Sequence, residues 1–168
     1  MNSLEKYKKR RDFKKTKEPG PKTGKTDGKI FVLQKHSATH LHFDFRIQIG
    51  KVLKSWAVPK GLPKTSNVKR LAILTEDHPL EYANFEGTIP EGEYGAGFVE
   101  IVDRGSFDNI KKDKDGKEIS LNKCFKNGTI EIFLHGKKIN GIYALIKFKD
   151  DKSWLLIKVN KNKYERKI

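Results

Sequence analysis

The residues best placed to do chemistry lie in one short run, His36-Ser37-Ala38-Thr39-His40-Leu41-His42-Phe43-Asp44-Phe45-Arg46-Ile47. In extended backbone successive side chains point to opposite faces. His40, His42, Asp44 and Arg46 therefore share one side, and Leu41, Phe43, Phe45 and Ile47 the other. The apolar side reads as a core face. The polar side gathers two imidazoles, a carboxylate and a guanidinium; a plain solvated face is the competing reading, but it would not need these types. Two neutral imidazoles and a carboxylate suffice for a divalent transition metal, with positions left for water or substrate. His42 and Asp44, about 6 to 7 Å apart along a strand, can converge on one ion, with His36 or His40 as third ligand. Arg46 adds a planar donor fork suited to a phosphate oxygen.

A second cluster is Glu76-Asp77-His78-Pro79-Leu80-Glu81-Tyr82. Pro79 suits the first turn of a helix, which would bring His78 and Tyr82 together. A histidine there can protonate a leaving oxygen or hydrogen-bond a phosphoryl group, although a capping role is the simpler alternative. The glycine-rich Ile89–Gly97 lacks the Gly-Lys-Ser/Thr ending of a phosphate loop and reads as a structured turn between strands. Trp56 reads as core, and Lys60 just beyond it is available to an anion. Cys124 is the single cysteine and has no histidine near it in sequence. Disulfide frameworks, cysteine zinc knuckles and covalent thiol chemistry are therefore set aside. His135, at a glycine-bounded strand end, reads as structural.

The elements that must position these groups are strands. From Ile30 onward apolar residues alternate with period two, giving candidates at Ile30–Lys35, His40–Ile49, Val52–Val58, Arg70–Glu76, Phe98–Val102, Thr129–Leu134, Gly141–Phe148 and Trp154–Val159. Gly50-Lys51 joins two of them at hairpin length. The fold class is mainly β: a compact antiparallel barrel of about eight strands with short helical segments. The polar segment 108–127 interrupts the rhythm and reads as a charged surface insertion, with a short helix near Leu121–Phe125. The barrel domain is placed at 30–160, with a basic N-terminal arm at 1–29, partly ordered on the barrel, and a basic tail at 161–168.

Charge narrows the partners. The 168 residues carry 36 Lys and Arg against 21 Asp and Glu, a net of +15, of which residues 1–29 supply +7. Such an excess repels itself unless something anionic binds, nucleic acid first and an anionic membrane surface second. No stretch approaches the roughly 18 apolar residues of a membrane span, and no apolar run follows Met1. A soluble cytoplasmic protein associated with the nucleoid, and a monomer, is expected.

Several motifs together resemble the 3′-phosphoesterase domain of bacterial DNA ligase D. They are Phe31-Val32-Leu33-Gln34-Lys35-His36, His42-Phe43-Asp44-Phe45-Arg46, Leu53–Gly61, Glu76–Tyr82 and Phe85–Gly97. Tyr7, Arg11-Asp12-Phe13 and Thr16–Pro19 fit the family's opening, and Gly136–Leu145 and Trp154–Lys158 its final strands, so the likeness runs from about residue 7 to 160 in order. It implies a small β-barrel enzyme dependent on manganese, or another divalent metal such as zinc or cobalt. That enzyme would strip a 3′-terminal ribonucleoside from DNA and then the remaining 3′-phosphate, leaving a 3′-hydroxyl. The resemblance assigns the metal to His36, His42 and Asp44, selecting His36 over His40. It assigns phosphate contact and catalysis to Arg46, His78 and Tyr82, and substrate binding or the nuclease step to Arg11, Asp12, Glu18, Gln34, Lys60, Arg70 and Glu76.

There are departures. His40 stands where the family commonly has Arg, and the segment after Phe107 is long and basic. With no room for polymerase or ligase domains in 168 residues, the expectation is a free-standing version. Its partners would be DNA primer–template 3′ ends, with a separate ligase, polymerase and end-binding proteins joined non-covalently, or with the chain acting alone. Two other readings compete: a non-catalytic DNA-end-binding module of the same fold, and a cupin-like small-molecule metalloenzyme. The second lacks the usual glutamate after the His40-Leu41-His42 run.

Overall fold

The structure, a computed structural model, describes residues 3–24, 28–160 and 162. The expected basic tail at 161–168 therefore falls, apart from Asn162, outside the described residues. Nine strands form one sheet: β1 (Ile30–Ser37), β2 (Leu41–Ile49), β3 (Val52–Val58), β4 (Lys69–Leu74), β5 (Gly87–Ile89), β6 (Gly97–Asn109), β7 (Thr129–Gly136), β8 (Asn140–Lys147) and β9 (Ser153–Val159). Their order is β1-β2-β3-β4-β9-β8-β7-β6, with β6 pairing back to β1. Eight antiparallel strands thus close a ring, and β5 lies outside it on the edge of β6. The expected mainly β barrel is what forms.

Period-two patterning fills the inside of the ring. Phe31, Phe45, Trp56, Ala72, Phe107, Ile132, Leu145 and Leu156 are all buried in one cluster, one from each ring strand. Burying each large side chain contributes about 1.5–3 kcal/mol. A second cluster joins Val32, Leu53 and Val99 to Tyr7, Tyr82, Ala83, Phe85 and Ile89. It draws on β1, β3, β5, β6 and two short elements, α1 (Glu5–Lys9) and a 3-10 turn (Leu80–Asn84). This cluster covers the outer face of the sheet. Tyr7 of the arm is fully buried there, its hydroxyl donating to the Pro19 carbonyl at 2.5 Å, and Leu4 of the arm is buried as well.

Most strand ends shift by one or two residues from expectation, and three differences have a physical reason. The strand read at Phe98–Val102 runs on to Asn109, because Phe107 points into the core although Asp103, Arg104, Gly105 and Ser106 hide the alternation. The start of the segment read as a surface insertion is therefore strand. Strand β4 ends at Leu74 rather than Glu76, although the Thr75 N–H still reaches the Ser55 carbonyl of β3 at 2.8 Å. Leu41, read as core, is 54% exposed because it stands at the barrel rim.

The expected helix is present as α2 (Leu121–Asn127), started by Ser120, whose hydroxyl accepts from the Lys123 N–H at 3.3 Å. It is more than a surface element. Cys124 is fully buried, and the Phe125 ring stacks on Trp154 with centroids 5.6 Å apart, while Trp56 meets Trp154 edge-on at 5.5 Å. Helix α2 thereby plugs the barrel end at which β6 gives way to β7.

Candidate metal and phosphate site

The site lies on the outer face of the ring, where antiparallel register places His36 opposite His42 and Gln34 opposite Asp44. Phe43 and Phe45 anchor β2 from the inside, which fixes the direction of His42, Asp44 and Arg46. Donor atoms of His36, His42 and Asp44 all lie within 4.8 Å of one another. Asp44 Oδ2 is 3.7 Å from His36 Nδ1, 3.3 Å from His42 Nε2 and 3.5 Å from Arg46 Nη2.

Each imidazole commits its other nitrogen to backbone. His36 Nε2 donates to the Gly95 carbonyl at 2.7 Å, and His42 Nδ1 to the His40 carbonyl at 3.2 Å. These bonds fix the tautomers and leave His36 Nδ1 and His42 Nε2 as lone-pair donors turned toward Asp44, the usual arrangement behind metal-ligating histidines. The chemistry of this set, two imidazoles and one carboxylate with oriented lone pairs, fits a divalent transition ion. Gly97 makes the approach possible: at φ +141 it sits where a Cβ would lie 2.3 Å from the Ser37 carbonyl.

Electrostatics favour a charged Asp44. Burial alone would raise its pKa, but the Arg46 charge and the neighbouring His36 and His42 imidazoles outweigh it and hold the carboxyl well below the usual range. The bond to Asp44 raises the His42 pKa against the opposing effect of burial, so protons compete with a metal there. Arg46 is fixed on every side. Its Nε donates to Gln34 Oε1 at 2.7 Å, and its guanidinium lies 4.6 Å from the Tyr82 ring centroid. Gln34 is held in turn by donating to the Tyr82 and Phe85 carbonyls at 2.8 and 3.1 Å.

His78 bridges to β3 through paired backbone bonds with Leu53, and its ring meets Tyr82 at 4.7 Å, as the Pro79 turn predicted. Burial, reinforced by the charges of Arg46 and Arg11, pushes its pKa well down. Its Nδ1 donates to the Glu76 carbonyl at 2.9 Å, so Nε2 carries a free lone pair. Tyr82 stays protonated because burial raises its pKa far above normal. Its hydroxyl donates to Glu18 Oε2 at 2.5 Å.

The arm forms the roof. Arg11 donates to Glu18 at 3.0 Å and to Glu76 at 2.9 Å, and its guanidinium lies 3.8 Å from the Tyr7 ring centroid. Thr16 also donates to Glu18, at 3.0 Å. Arg10 reaches Glu76 at 3.3 Å and the Tyr94 hydroxyl at 2.8 Å.

A cavity of about 250 Å³ opens among these groups, lined by His36, His42, Asp44, Arg46, His78, Tyr82, Arg11 and Glu76. Gln34 and Glu18 are buried behind it as supports. The other candidates lie elsewhere. Asp12 is exposed and caps its own turn through the Lys14 N–H at 3.1 Å. His40 is exposed and contributes its carbonyl. Lys60 lines a different cavity. Arg70 lies on β4, its Nε buried without a hydrogen-bond partner among the described residues. Sequence reasoning missed Ser55, 3.3 Å from His78, and also Arg10, Thr75 and the Tyr94-Gly95 pair, which line or support the cavity. The glycine-rich run read as a plain turn supplies that pair. Its density of glycines next to an aromatic was the available signal.

Known proteins are similar to this chain in sequence. The chain is 47% identical over 167 residues to the multifunctional non-homologous end joining DNA repair protein LigD of Mycobacterium tuberculosis, covering 98% of this chain and 21% of that protein. It is 45% identical over 169 residues to the multifunctional non-homologous end joining protein LigD of Mycolicibacterium smegmatis (98% and 22%). Against the Pseudomonas aeruginosa LigD it is 41% identical over 161 residues (92% and 18%). The chain thus spans about a fifth of the length of these curated relatives. The profile of the family described as the DNA ligase D 3′-phosphoesterase domain matches residues 34–147, from the Gln34 that props Arg46 to the end of β8. That stretch contains all three convergent donors, Arg46, His78 and Tyr82, and the chain belongs to the DNA ligase D 3′-phosphoesterase domain family.

Proposed function

We propose that this chain is a divalent-metal-dependent phosphoesterase acting on DNA 3′ ends in end-joining repair. It removes 3′-terminal ribonucleosides and 3′-phosphates to leave a hydroxyl for synthesis or ligation. One observation carries the reading: Asp44 Oδ2 lies within 3.7 Å of both imidazoles and of the Arg46 fork in one cavity. A metal-binding set and a phosphate-binding group thereby share a focus.

His36, His42 and Asp44 would hold the ion, manganese by preference with zinc or cobalt as substitutes. Bound there, it supplies a Lewis acid at a phosphoryl oxygen and lowers the pKa of a water. Arg46, immobilised by Gln34 and Tyr82, offers its remaining N–H groups to another phosphoryl oxygen without reorganising. His78, neutral with Nε2 free, can take a proton from water at that atom or accept a hydrogen bond. Tyr82 acts chiefly through its ring under Arg46, since its hydroxyl is occupied by Glu18. Arg11, Glu18 and Glu76 hold the roof against the cavity. The net charge of +15 supplies sequence-independent affinity for phosphates that falls with salt.

The test is a gel assay on a labelled primer–template ending in one ribonucleotide, with manganese and with EDTA, for the native chain and Asp44→Asn. Manganese-dependent conversion to a 3′-phosphate and then a 3′-hydroxyl end is expected. Asp44→Asn should lose at least about a hundredfold in metal affinity and activity, by comparison with losses of outer support alone. A primer bound but uncut under all conditions would instead mean a DNA-end-binding module.

A further inference from the structure

We propose that the open end of the barrel is a second binding site, for an unpaired strand of nucleic acid; the proposal rests on the DNA-end reading above. Helix α2 plugs one end with Phe125. The opposite end opens into a cavity of about 660 Å³, larger than the one beside the metal donors. Phe43 and Tyr143 form its floor, and Lys60, Lys64, Lys138 and Lys158 its rim. A second cavity of about 370 Å³ shares Lys64, Asn140 and Lys158 with it, so the two make one groove. Among the described residues no carboxylate lines either part.

The rim is charged and unneutralised. Among the described residues the lysines paired with carboxylates are Lys35, Lys54, Lys111 and Lys147, and none of the rim four. Lys158 Nζ is instead 3.4 Å from the Lys64 carbonyl and 5.9 Å from the Tyr143 ring centroid. Asp103 lies beneath the turn that carries Lys138, and it accepts four backbone N–H groups at 2.7–3.1 Å, from Arg104, Lys137, Lys138 and Ile139, shaping the rim through backbone without an ion pair to any rim lysine. Gly61, at φ +77, lets the opposite wall descend onto Phe43, where a Cβ would lie 3.2 Å from the ring.

Spaced ammonium groups over an aromatic floor match a polymer that alternates phosphates with flat apolar bases. Lysines take the phosphates, and the half-buried Phe43, backed by the buried Tyr143, faces a base. A duplex hides those bases in its stack. Phe43 also sits between His42 and Asp44 on β2 with its side chain on the opposite face. Groove and metal cavity are therefore back to back across one strand, which suits the unpaired strand running past a processed end.

The experiment compares fluorescence anisotropy of a short single-stranded oligonucleotide and a duplex of equal length. It uses the native chain and the triple variant Lys64→Glu, Lys138→Glu, Lys158→Glu. Single-strand affinity should fall at least about tenfold and the salt slope by about 2, with a smaller effect on duplex. Removal of a 3′-phosphate from a blunt duplex should be unchanged. In the native chain, a thiothymidine-containing strand should photo-crosslink to peptides bearing Phe43 or Tyr143. Unchanged single-strand affinity, equal losses for both oligonucleotides, or crosslinks confined to other peptides would each overturn the proposal. A native chain that cuts no 3′ end would instead refute the DNA-end reading, and the anisotropy and crosslinks would still decide the groove.

Discussion

The two faces of β2 are built on different principles. Inward, Phe45 and Ile47 join a cluster supplied by every strand of the ring, whose attraction is non-directional and grows with buried area. Outward, Asp44 and Arg46 sit equally buried among groups that interact through defined atoms. Glu18 accepts from Arg11, Thr16 and Tyr82, and Gln34 serves Arg46 and two carbonyls. The inner face resists loss of volume, whereas the outer face resists loss of any one partner. Undirected packing and directed contacts are thus separated by the thickness of a sheet.

That separation can be broken from either side. The largest effect should come from within. Trp154→Ala removes the ring that Phe125 stacks on, and the denaturation midpoint should fall by the equivalent of about 3–5 kcal/mol. Metal affinity of the folded fraction should be unaltered; a parallel loss of metal binding would show the faces to be coupled. Next comes the roof. Arg11→Met leaves Glu18 and Glu76, with side chains 0% and 2% exposed, short of their main cation. A loss of about 3 kcal/mol is expected, as for other broken buried pairs, with partial recovery when Glu18→Gln is added. A loss no larger than that of an exposed pair, below about 1 kcal/mol, would mean that Arg10, Thr16 and Tyr82 carry the roof alone.

The smallest effect should be at the rim, in Asp103→Asn. Burial would raise the Asp103 pKa, but four backbone N–H groups outweigh it and lower it. A carboxyl depressed in the folded state stabilises above its ordinary pKa of about 3.9, and that contribution is lost as pH falls through the folded value. The variant should therefore be less stable at neutral pH by about 1 kcal/mol, and the gap should close on acidification below about pH 4. A gap independent of pH would place the effect in packing.

The ring was legible in the sequence because apolar residues recur closely enough to period two to mark some part of each of its eight strands. It failed where polar residues interrupt an inward face, as at Asp103–Ser106 before Phe107, and where a strand is too short for any period, as in Gly87–Ile89. Of the site, the β2 residues were legible because period two places them on one face with no other information. His36 came from resemblance, since choosing it over His40 depends on the register that sets it opposite His42. The roof was opaque to spacing: Arg11 meets Glu76 across 65 residues, a contact that only folding creates.

One feature of the register bears on the order of events in time. The three donors lie between residues 36 and 44, within a single hairpin, whereas the seam that closes the ring joins residues 30–37 to 98–106. Bringing the donors together closes a short loop at small entropic cost, while sealing the barrel must wait for contacts distant in sequence. Assembly therefore has a natural sequence, in which the grip for an ion is a local and early product and the roofed cavity around it a late one.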